Sequence, residues 1–149
     1  MSKGLVGQFT IPVSSHGVLR KFKVYVYPDL ESLYAATDRW FKKRSEKPDK
    51  HNYHAITHSY NTINIDADGE ETNYPTVGII RLCKGYLYSY IIAHEIAHAT
   101  LNVYQLDCLE ETDPVLDHID PGNEKFCHIL SELEHNIVSK LNRGGFYDE

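Results

Sequence analysis

Residues 94–98 read His-Glu-Ile-Ala-His. On a helix, positions i and i+4 lie one above the other on the same face. The imidazoles of His94 and His98 could then share one Zn²⁺ at about 2.0–2.1 Å each. Glu95, about 100° round the helix from His94, would reach a water without ligating the cation. Such a cation lowers the pKa of its water to about 7. Glu95 would take the proton as the water oxygen attacks a carbonyl and hand it to the leaving amine. The expected chemistry is zinc-dependent hydrolysis of a protein or peptide bond, with His94 and His98 as ligands and Glu95 as catalytic base. The competing reading is a hydrogen-bonded pair of core histidines.

A catalytic zinc takes three protein ligands and keeps one position open. A metzincin would need Gly at position 101 and His at 104, where this chain has Leu101 and Tyr104. The downstream candidates are Asp107, Asp113, Asp117, His118, Asp120, Glu124, Glu132 and Glu134. Glu124 is preferred because it opens the final predicted helix. Small residues follow it at i+3 (Cys127) and i+7 (Ser131), a lane that would let that helix approach Ala93 and Ala97 of the motif helix. Glu134 is the alternative, being closer to the apolar stripe Phe126, Leu130, Leu133, Ile137 and Leu141. His118 is a third. Tyr86, Tyr88 and Tyr90 precede the motif and could donate to an oxyanion, as could His118 and His128, although packing or a surface position explains each of them as well.

Several elements must position this motif. Residues 6–13 and 19–27 alternate as strands, with Phe22, Val24 and Val26 on one face. Pro28-Asp29 ends the second strand, and Asp29 can cap a helix from Leu30 to Arg44. Residues 53–65 and 76–83 read as further strands, and residues 66–71 as an acidic turn. The motif helix is expected from Leu87 to Tyr104. It carries Ile92, Ile96, Ala99 and Val103 on one side and Leu87, Ile91 and Leu101 with the histidines on the other, so it should lie inside the domain. The last helix should run from Glu124 to Leu141 and stop at Gly144-Gly145. This predicts a single α+β domain over residues 1–149, with a small, mostly antiparallel sheet packed on three helices.

Composition bounds the function. The chain has 149 residues, 42% hydrophobic and 24% charged, so it can bury a core without disulfide staples. A net charge of -6 argues against a dedicated nucleic-acid binder. The basic run from Arg39 to Lys50 reads as a solvated helix end; a nucleic-acid-tethered peptidase of the SprT-like kind would have that run as its sole support. Three widely spaced cysteines suit neither a disulfide framework nor a zinc knuckle. With no apolar leader and no membrane-length run, a cytoplasmic location is expected.

The run from His94 to His98, an irregular loop and then Glu124-Lys-Phe-Cys-His-Ile-Leu-Ser resemble the compact HExxH peptidases of phages and mobile elements, the ImmA/IrrE type above all. The resemblance covers residues 76–141. It implies a minimal zincin-like domain, zinc held by His94, His98 and Glu124, and Glu95 as base, acting in the host cytoplasm if the chain is phage-encoded. A helix-turn-helix DNA-binding segment is absent. A second function class is a zinc-stabilised binding or anti-defence module with little or no turnover. Cys83 could correspond to the upstream cysteine ligand of peptide deformylase, but that family's other signatures are missing and Cys83 reads as a strand residue. In a zincin-like domain the strand at 76–83 should be a sheet edge facing the cleft, where an extended substrate could add as a further strand. Gly78 would leave room for that approach.

Overall fold

The computed structural model describes residues 5–15, 18–46, 50–60, 63–65, 67–68, 71–73, 75–108 and 124–147. Strands β1 (Gly7–Ser15) and β2 (Val18–Tyr27) pair antiparallel along their whole length. Asp29 caps helix α1 (Leu30–Lys43), its side chain accepting from the Ser32 amide at 2.8 Å. Strands β3 (Ala55–Ser59), β4 (Ile63–Ile65), β5 (Glu71–Asn73) and β6 (Thr76–Cys83) follow. A 3₁₀ turn, Lys84–Tyr86, leads into helix α2 (Ser89–Cys108), and helix α3 spans Glu124–Arg143. Four strands form one sheet in the order β1-β2-β6-β3, while β4 and β5 form a separate hairpin. The segment expected as one strand over 53–65 is therefore split between two sheets.

The architecture is α+β with a small mixed sheet: β2 and β6 run parallel, and the outer pairings are antiparallel. Strand alternation sorts the residues by face. Phe22, Val24, Val26, Ile80, Leu82 and Ala55 point toward α2 and α3, where they meet Ile92, Ile96, Ala99, Val103, Leu133 and Ile137 in the main core. Each fully buried Leu or Ile there contributes about 1.5–3 kcal/mol. Tyr27 and Cys83 face the other way and pack with Leu33 and Ala36 of α1. The sheet thus has α1 on one face and α2 with α3 on the other.

The strand expected at the sheet edge lies inside it: β6 pairs with β2 on one side and β3 on the other. Its burial agrees, since every residue from Val77 to Cys83 is buried, the pattern of an interior parallel strand. Gly78 makes room for the protein's own chain. A Cβ there would stand 2.5 Å from the Phe22 ring and 2.7 Å from the His58 carbonyl oxygen.

Two expectations for the helices are also corrected. Helix α2 is not enclosed: Ile91, Ile92, Glu95, Ile96, Ala99, Thr100, Val103 and Tyr104 are buried, whereas Ala93, His94 and His98 are exposed. Charged-capable imidazoles stay wet where no partner element covers them. Helix α3 packs through Ile129, Leu133, Ile137 and Leu141. Cys127 and Ser131 are exposed, so they form no lane against Ala93 and Ala97. The large branched residues supply more apolar area for burial, and they set the rotation of the helix.

Candidate metal centre

Helix α2 begins where the Tyr88 carbonyl accepts from the amides of Ile91 and Ile92. One turn later it presents His94 and His98 to solvent on one face. Their Nε2 atoms stand 3.1 Å apart, with the rings at 77° to one another. Two ligands on a tetrahedral ion at about 2.0–2.1 Å would be about 3.3–3.4 Å apart, so the pair needs little adjustment to hold one zinc ion. The donor set of two imidazoles beside a carboxylate suits that metal.

Glu95 points away from the histidine face toward the sheet and is 4% exposed. Its Oε1 accepts a 2.7 Å hydrogen bond from Thr57 Oγ1 of β3. Thr57 lies in the central register position of β3, opposite Ile80. Oε2 has no protein partner among the described residues. The carboxylate is therefore held by one oxygen, leaving the other for a ligand in the adjoining space.

That space is a groove of about 390 Å³ that runs along β3. His94, Glu95 and His98 form one wall, and Trp40, Phe41 and Arg44 from the end of α1 form the other. β3 is the last strand of the sheet, so its outer edge borders the groove. The edge strand beside the motif is β3, rather than the expected 76–83 segment.

The floor of the groove is built from side chains in mutual contact. His58 of β3 stacks on Trp40 with centroids 4.6 Å apart and meets Phe41 edge-on. Its Nε2 accepts from Arg81 Nε at 3.2 Å. Burial, reinforced by the Arg81 and Arg44 charges, lowers the His58 pKa to about 3. The ring stays neutral, and the lone pair on Nε2 is already used. Arg44 lies over the Trp40 ring at 3.9 Å, a cation–π contact that holds the guanidinium beside the groove.

The third-ligand candidates divide sharply. Asp113, Asp117, His118 and Asp120 lie outside the described residues. Asp107 is engaged elsewhere: it binds buried Arg20 through both carboxylate oxygens, the shortest contact being 2.6 Å. Glu132 accepts from the Ser14 amide at 3.1 Å, which ties α3 to β1. Glu134, the alternative for its nearness to the apolar stripe, is exposed. Glu124 is the first residue of α3 and is exposed. Among the described residues, none joins His94 and His98 in a group of three metal-binding side chains.

The tyrosines before the motif also divide. Tyr86 stacks on His54 at 4.3 Å. Tyr88 and Tyr90 are 52% and 71% exposed and stack on one another, so core packing does not account for them. Cys83 is a buried strand residue, as expected, and His128 is exposed. Sequence reasoning missed Thr57, Trp40 and His58. The only signal for Trp40 was the i, i+4 spacing of Trp40 and Arg44; Thr57 had none, being 38 residues from Glu95.

Comparisons with family models, curated proteins and solved structures find no match to this chain. No helix among the described residues is long and apolar enough to cross a membrane.

Proposed function

We propose that this protein is a zinc-dependent metallopeptidase of the HExxH class. The observation that carries the reading is the convergence of His94 and His98 Nε2 beside a carboxylate that Thr57 orients in the same groove. His94 and His98 would hold the ion; Glu124, exposed at the start of α3 and not grouped with them in this structure, is the third ligand that the resemblance implies. The bound ion would supply Lewis-acid polarisation of a substrate carbonyl and an acidified water. Glu95 would take the water proton and pass it to the leaving amide nitrogen. Thr57 is a positioning residue that keeps Glu95 Oε1 in place while Oε2 works. An extended peptide would lie along β3 and take main-chain hydrogen bonds from its outer edge.

Elemental analysis of protein purified without added metal tests the first step. The expected result is near-stoichiometric zinc, reduced in Glu124→Ala and lost in His94→Ala; protein that takes up no zinc on titration refutes the reading. A proteome-wide cleavage screen comparing wild type with Glu95→Gln tests the second step. Cleavages confined to wild type support the peptidase. A cellular effect that survives Glu95→Gln, with zinc retained, favours the zinc-stabilised binding module instead.

A further inference from the structure

A second cavity, of about 290 Å³, lies on the α1 face of the sheet, between α1 and strands β2 and β6, and shares only Trp40 with the groove among the residues that line it. Three cations line it: Arg81 from β6, and Arg39 and Lys43 one helical turn apart on α1. Arg81 is only 8% exposed. Its Nε donates to His58 and its Nη1 donates to Tyr27 Oη at 2.6 Å. Both partners are neutral groups. No carboxylate among the described residues pairs with Arg81, Arg39 or Lys43.

Arg20 provides the contrast. It is buried to a similar degree, and Asp107 meets it with both oxygens. A buried guanidinium without a counter-charge is costly, and two further cations at the rim add repulsion. The cavity also offers unused donors. Arg81 Nη2 has no protein partner among the described residues. Tyr27 Oη accepts from Arg81, which leaves its own proton to give. Tyr25 lines the same space.

We propose that this cavity binds a phosphate-type dianion, with Arg81 and Tyr27 at its base and Arg39 and Lys43 closing over it from α1. Three positive charges suit a dianion better than a single carboxylate, and Arg39 supplies the planar fork that phosphate accepts. The volume exceeds that of the bare ion and leaves room for a small organic group on a phosphate monoester. The site shares no acid, base or metal-binding residue with the groove, so it stands whether or not the protein hydrolyses peptides.

The test is titration calorimetry on the full chain in EDTA, with inorganic phosphate and ribose 5-phosphate as separate probes, against chloride at matched ionic strength. The expected result is saturable one-to-one binding in the millimolar range or tighter. Arg39→Ala/Lys43→Ala should weaken it at least tenfold, and the exposed control pair Lys42→Ala/Lys50→Ala should leave it unchanged. Tighter binding of ribose 5-phosphate would identify a phosphate monoester as the ligand, and equal binding the free ion. Failure of both probes to saturate, or equal weakening in the two double variants, would overturn the proposal. The rim variants replace exposed residues, so they test the site without removing the buried Arg81.

Discussion

Two histidine environments stand on either side of one edge strand. His58 is sealed under Trp40 and Phe41, with Nε2 committed to Arg81 and its pKa lowered to about 3. His94 and His98 are exposed, and their Nε2 atoms face each other across 3.1 Å. All three line the same groove. The difference lies in what each ring has left to offer. A buried imidazole that already accepts a hydrogen bond is a structural part, whereas two open ones at helical spacing can hold a cation.

Exchanging the roles gives the sharpest test. His94→Ala or His98→Ala should lower zinc affinity by at least about 100-fold, beyond the loss typical of outer-shell partners, with little change in the melting temperature of the metal-free protein. His58→Ala should do the reverse. It leaves Arg81 Nε unpaired and opens a cavity under Trp40, costing about 2–4 kcal/mol in a denaturant titration, while zinc content stays near wild type. Loss of zinc in His58→Ala protein that is still folded would collapse the distinction.

The same comparison predicts a pH dependence. In the unfolded chain His58 titrates near 6.5, and in the fold near 3. Between those values the unfolded state binds the extra proton, so stability falls as pH falls. The slope from this residue is at most about 1.4 kcal/mol per pH unit, from about pH 6.5 down toward 3. His58→Gln can keep an acceptor for Arg81 and does not titrate. Its stability curve should be flatter across that range, and an unchanged slope would mean that other groups govern the acid limb.

The smallest expected effect is at Thr57, the hydrogen-bond partner of Glu95. Thr57→Val removes the 2.7 Å hydrogen bond but preserves the shape of β3. We expect cleavage to fall about tenfold through lost orientation, with zinc content unchanged. Glu95→Gln should fall further, by about 100-fold or more. Equal activity in Thr57→Val and wild type would show that Glu95 is positioned by other means.

Much of the local structure is legible in the chain itself. Alternation in residues 19–27 sets the inward face of β2, Asp29 marks the start of α1, and the Gly144-Gly145 pair marks the end of α3. Each of these depends on neighbours a few residues away. The interior position of β6 is also written in its apolar run, Val77 to Leu82 interrupted only by Gly78 and Arg81, although the zincin resemblance implies an edge strand there.

The sequence by itself determined that His94 and His98 share a helical face and that Glu95 does not, because helical periodicity is a property of the backbone. The tertiary structure decided that this face stays open to solvent, and that β3 rather than β6 lines it. It also decided that Thr57 reaches Glu95, and that Asp107 is spent on Arg20. Those outcomes depend on which strands pair and on how far α2 rotates against them to bury Ile92, Ile96 and Val103. Such long-range choices minimise exposed apolar area over the whole chain, and no spacing between neighbouring residues encodes them.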